Sequence, residues 1–104
     1  MPKFRRFEKM LRERESYLAR TLDRVERELV EPASKDDEER ATEREGDEVL
    51  ESLGSASAAE LRAVRAALRR IEEGTYGECV HCGEEIAERR LEIIPHAARC
   101  ARCA

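Results

Sequence analysis

Two Cys-x-x-Cys pairs, Cys79/Cys82 and Cys100/Cys103, stand seventeen residues apart near the end of this chain, and nothing else in it limits the possible folds so tightly. Each pair can turn so that its two sulfurs lie about 3.5–4 Å apart. Two such turns then supply the corners of a tetrahedron with Zn–S of about 2.3 Å. Gly83, directly after the second cysteine, suits a turn that needs a positive φ while backbone N–H groups point at the sulfurs. Four thiolates fill the coordination sphere of one Zn2+ and leave no position for a substrate water, so the expected metal is structural.

Two other uses of four cysteines compete with zinc. Disulfides are disfavoured because no secretory leader is visible and the paired cysteines are too close for ordinary bridging. A redox dithiol would need a thioredoxin-like alternation of strands and helices, and no such pattern is present. His81 and His96 lie beside the cysteines, but with four thiolates available each reads as a solvated or packing side chain.

A metal is needed because the composition cannot supply a large core. Of 104 residues, 42% are charged and 4% aromatic, with no Trp, so metal ligation and helix pairing must stabilise the fold. The formal charge is −4; four thiolates and one zinc ion take it to about −6. That balance disfavours nonspecific DNA or anionic-membrane binding as the main activity. No apolar run approaches a membrane span, and reduced, metal-bound thiols fit the cytoplasm.

From Phe4 to Val30 there is no Gly or Pro, and the apolar residues Phe4, Phe7, Leu11, Leu18, Leu22, Val25 and Leu29 fall in steps of three, four or seven. That is the narrow stripe of a helix meeting a single partner helix. Pro32 breaks it, and Ser34 with Asp37 forms a capping-box pattern for a second helix. The second stripe runs Leu50, Leu53, Ser57, Leu61, Val64, Leu68, Ile71, with a bend expected near Gly54 and a stop at Gly74.

The expected fold is mainly α: an antiparallel two-helix coiled-coil hairpin over residues 1–74, its tip near 31–41, with a four-cysteine zinc-finger module over 75–104. The longer second helix either overhangs the first or has the zinc module beside its last turns. Within the finger, residues 84–91 read as a short turn or a strand pair, with Ile86, Leu91 and Ile93 as a minimal core. No Gly-rich phosphate loop and no Ser/His/Asp or Cys/His arrangement is present, so no enzymatic role is expected.

The run Asp36-Asp37-Glu38-Glu39-Arg40-Ala41 is the densest acidic stretch in the chain. One reading is a solvated face that complements the helix dipole, and spacing alone favours it. The other follows from position, because carboxylates on the end of a stiff rod can enter a channel closed to a globular domain. Asp36 and Glu39, three apart, share one helix face.

The residues Tyr76-Gly77-x-Cys79-x-x-Cys82-Gly83-x-x-Ile86, Arg90-Leu91, Pro95 and Cys100-x-x-Cys103 resemble the zinc-finger signature of the DksA/TraR family of bacterial transcription regulators. The family's tip motif, Asp-x-x-Asp-x-Ala, falls on residues 36–41. The resemblance implies direct binding to RNA polymerase through its secondary channel, with no sequence-specific DNA binding and no membrane association. It makes Asp36, Glu39 and Ala41 the effector residues and Cys79, Cys82, Cys100 and Cys103 the zinc ligands. The expected free state is a monomer.

This sequence departs from the family pattern at three points. Glu39 stands where the motif has Asp, and the chain as read to Ala104 is expected to lack the C-terminal helix of longer members. The positions that hold the alarmone ppGpp in responsive members fall on Ala63, Ile94 and Ala104, none of which can supply a cation to a phosphate. Polymerase binding without strong ppGpp synergy is therefore expected. The alternatives from other classes are a nucleic-acid-binding finger using Arg89, Arg90, Arg99 and Arg102, and a coiled-coil adaptor in which zinc serves stability alone.

Overall fold

The computed structural model describes residues 4–29 and 37–104, with side chains over 4–28 and 51–104. Helices α1 (Arg5–Leu29) and α2 (Asp37–Glu73) form the hairpin, and a short α3 (Glu88–Ile93) lies in the cysteine module. Among the described residues the only β pairing is an isolated bridge between Glu78 and Glu85. Ser34, the expected cap, lies outside the described residues. No described helix is long and apolar enough to cross a membrane.

The apolar stripe of α1 is the face it buries: Phe7, Leu11, Leu18 and Val25 are each 3% exposed or less. Against them α2 sets Leu61, Val64, Ala67 and Leu68. The seven-residue step from Leu11 to Leu18 is flanked by charge pairs. The Arg14 guanidinium grips both oxygens of Glu60, with Nη2 2.8 Å from Oε1, and Arg65 Nε donates to Glu15 Oε2 at 3.1 Å. Donation from Arg14 holds the Glu60 carboxyl below its ordinary pKa. Exposed pairs of this kind stabilise by only about 0–1 kcal/mol each, so they matter more for register than for strength.

That register is antiparallel, because 14 meets 60 and 25 meets 54. A Cβ built on Gly54 would lie 3.3 Å from Val25 Cγ1, so the missing side chain allows the close approach of the two helices. α2 continues as helix through Gly54. Because Gly54 faces α1, Leu53 is turned to the flank and is 41% exposed, unlike its expected place on the seam. The same register sets Leu29 near residue 50, so about a dozen residues of α2 run past the end of α1, roughly 18 Å of helix. The longer helix overhangs at the end away from the finger. The molecule measures 57 × 26 × 19 Å.

Gly74 ends α2 as expected. Its φ is +79°, its N–H donates to Ile71 O at 3.2 Å and Thr75 N–H donates to Arg70 O at 2.9 Å, the paired bonds of a Schellman cap. The chain then turns under the first turns of α1, where one core joins Phe7 and Leu11 to Tyr76, Ile86, Leu91, Ala97 and Cys100. Residues 88–93 form α3 in place of the expected turn or strand pair. Leu91 N–H donates to Ala87 O at 3.2 Å, and the helix stops at Ile94, whose backbone is constrained by Pro95. Leu91 and Ile86 are buried as expected, but Ile93 is 80% exposed. Two residues along a helix is about 200° of rotation, so Leu91 facing the core puts Ile93 on the far side.

Gly77 has φ +88°, and a Cβ there would sit 2.9 Å from Phe4 Cζ. Gly77→Ala is expected to destabilise by about 1–3 kcal/mol, through both the backbone region and the ring contact. Thermal melting beside a Gly83→Ala control checks this: Gly83 has φ +79° but no neighbour within 4 Å, so it isolates the backbone cost.

Candidate metal centre

The two cysteine turns are built by short backbone bonds. In the first, Cys79 N–H donates to Glu84 O at 2.8 Å and Gly83 N–H to Cys79 O at 2.9 Å; Gly83 takes the positive φ expected of it. In the second, Cys103 N–H donates to Cys100 O at 3.0 Å. Val80 N–H to Ala98 O, 2.9 Å, ties one turn to the other. Tyr76 supports both from beneath. It is 2% exposed, its hydroxyl donates to Pro95 O at 2.8 Å, and burial pushes its pKa up to about 12. Phe4 meets its ring edge-on with centroids 4.9 Å apart. Arg6 spans from α1 to Glu88 and Glu92 of α3, at 2.5 and 2.9 Å.

The structure brings the four expected cysteines together. Their sulfurs all lie within 4.8 Å of one another, and none is in a disulfide. Cys82 Sγ and Cys100 Sγ are 3.7 Å apart, against about 3.8 Å for the edge of a tetrahedron with Zn–S of 2.3 Å. Cys79 and Cys100 are buried, Cys103 is half-buried and Cys82 is exposed. The donor set, spacing and enclosure fit a zinc ion. His81 and His96 are not in the cluster.

The protein around the sulfurs already favours charge on some of them. Backbone N–H groups, first that of Cys100 and then that of Cys82, bring the Cys79 thiol down to about 5. Sharing a proton with the Cys100 sulfur pushes Cys103 up to about 12, and Cys82 is also raised. A metal binding near neutral pH therefore has to displace protons from the raised thiols of Cys82 and Cys103, whereas the lowered Cys79 thiol gives its proton up more readily. Acid opposes binding, so zinc affinity should fall at least about a hundredfold per pH unit as pH drops below 7, since two or more protons compete. Competition titration with a chromogenic chelator at pH 6, 7 and 8 measures that slope.

Of the arginines that gave the finger positive character, Arg90 is tied down by donation from Nε to Arg99 O at 3.0 Å, while Arg89, Arg99 and Arg102 are exposed. Ala63 and Ile94 are half-buried and Ala104 is exposed. Asp36 lies outside the described residues, as do the side chains of Glu39 and Ala41; the backbone at 39 and 41 belongs to the first turns of α2. Tyr76 belongs to the finger motif in the sequence, and the structure adds its place in the core. Its signal was available, since a lone aromatic between a helix-ending glycine and the first cysteine has few other places to go.

A cluster of four thiols on two turns, set at the foot of an antiparallel helix pair, defines a C4-type zinc finger joined to a helical hairpin. Residues 7–71 match the DnaK suppressor protein-like N-terminal domain, and residues 74–104 match the prokaryotic DksA/TraR C4-type zinc finger. The chain belongs to the DksA/TraR family, and one structural zinc ion belongs to its finger. It is 41% identical over 103 residues to an uncharacterized protein of Aquifex aeolicus (strain VF5), covering 93% of this chain and 70% of that one. The structure of transcription factor DksA2 from Pseudomonas aeruginosa superposes with a TM-score of 0.79 at 27% identity, over 93% of this chain and 76% of that one. The solution structure of a DnaK suppressor protein from Agrobacterium tumefaciens C58 gives 0.64 at 48% identity, over 93% and 87%.

Proposed function

We propose that this chain is a cytoplasmic, non-enzymatic regulator of bacterial transcription that binds RNA polymerase as a monomer and extends its hairpin into the secondary channel. Residues 1–74 form the arm and 75–104 the base, with Cys79, Cys82, Cys100 and Cys103 holding the zinc that keeps the base folded. The effector residues are Asp36, Glu39 and Ala41. The observation that supports this most directly is the overhang of α2. Its first turns lie about 50 Å of helical rise from the finger. Acidic groups at such an end can reach a cationic, magnesium-bearing centre that the base cannot approach.

The test is transcription by purified polymerase with Asp36→Asn and Glu39→Gln combined. The double variant is expected to bind polymerase within about threefold of wild type, because the docked area is elsewhere, and to lose most of its effect on initiation. Unchanged output from a variant that still binds removes the tip from the mechanism. In the same assay ppGpp should change potency by less than tenfold, given Ala63, Ile94 and Ala104.

A further inference from the structure

The chain has four aromatic residues, and three of them, Phe4, Phe7 and Tyr76, pack together at the base. The fourth, Tyr17, is on the side of α1 midway along the rod and 52% exposed. A half-exposed phenol beside the buried face of a helix offers a partner both apolar area and a hydroxyl. Arg20 and Arg24 follow at i+3 and i+7, which puts them on the same side of α1. Together with Thr21 these residues line an open depression of about 400 Å³.

The charges beside the ring are not all used within the molecule. Arg14 lies over the Tyr17 ring, 5.1 Å from its centroid, but its nitrogens are committed to Glu60. Arg27, on the same rim, is paired with Asp23 at 3.0 Å. Among the described residues neither Arg20 nor Arg24 has a carboxylate partner. An exposed tyrosine followed on the same helix side by two unneutralised arginines has the composition of a binding hot spot, and its charge selects an acidic counterpart.

Resting on the polymerase reading above, we propose that Tyr17, Arg20 and Arg24 dock the side of the rod against an acidic surface of RNA polymerase. The occupant is a protein surface rather than nucleic acid. From Asp37 to Glu51 the sequence carries eight acidic residues against two arginines, so a phosphate backbone following the rod would meet like charge. A discrete acidic patch opposite Tyr17–Arg24, about 10 Å of helix, would not. This patch supplies lateral attachment, independent of what the tip does.

Binding of the full chain to core RNA polymerase across a salt series tests this, with R20E/R24E, R20K/R24K and Tyr17→Ala beside wild type. All three sites are on the surface, and zinc content with helical circular dichroism verifies folding. R20E/R24E is expected to weaken binding tenfold or more at low salt and to flatten the salt dependence. R20K/R24K should stay within about threefold, and Tyr17→Ala should lose at least about threefold at every salt concentration. If wild type binds and R20E/R24E matches it in affinity and salt slope, the docking patch is overturned and the polymerase reading stands. If wild type does not bind polymerase, that reading fails and the patch with it. Salt-sensitive binding of free duplex DNA by wild type, abolished in R20E/R24E, would make the patch a nucleic-acid surface and overturn the proposal.

Discussion

Replacing Cys79 with serine is expected to cost the protein its zinc and the folded base together. Cys79 is 3% exposed and sits in the same core as Tyr76, Leu91 and Phe7, so a failed metal site is also a breach in the packing. In a module of this size a structural zinc contributes on the order of the whole folding free energy. Metal content should drop from one ion per chain to a small fraction, measured by atomic emission after dialysis. Hydrogen exchange should then report loss of protection over residues 76–103 and the first two turns of α1. The α1–α2 contacts around Leu18 and Val25 lie away from the module and should retain protection for longer. Full zinc occupancy in the variant would mean that three thiolates suffice.

The second large effect is predicted at Phe7, which is 1% exposed. Its ring lies 6.1 Å from that of Tyr76, and the Arg6 guanidinium covers it at 4.6 Å. Phe7→Ala leaves a cavity where helix and finger meet, and truncations of this kind destabilise by about 3–5 kcal/mol. For a chain of this length that is a fall in melting temperature on the order of 15 °C. Phe7→Leu should recover more than half of the loss, and Tyr17→Ala should change stability by less than about 0.5 kcal/mol. Calorimetry of the zinc-loaded protein measures all three. A Phe7→Ala loss below about 1 kcal/mol would mean that the base core is not continuous across α1 and the finger.

How much of this was legible beforehand depends on whether a residue's surroundings lie near it in sequence. The helices were readable because Phe7, Leu11, Leu18 and Val25 repeat with the period that faces a partner, and Gly74 stops α2 by a local backbone requirement. The metal centre was readable because the Cys-x-x-Cys turn is itself local. Leu53 and Ile93 were misplaced for the opposite reason. Their burial depends on which neighbour wins the shared face, and that is settled by Gly54 against Val25 and by Leu91 against the core. Residues 88–93 carry too few apolar positions for a helical period to show, so α3 was missed. The pairs of Arg14 with Glu60 and Glu15 with Arg65 were not legible, since nothing in the sequence relates residues some fifty positions apart.

The base has a consequence for how the protein is made. Phe7 shares its core with Ala97 and Cys100, which follow it by about ninety residues and so leave the ribosome well after it. The two long helices can pair during synthesis, but their foot has to wait, open and greasy, until the final cysteine is available and a zinc ion has been captured. Newly made chains in a zinc-starved cell should therefore accumulate as half-finished hairpins, exposed to proteases at the foot.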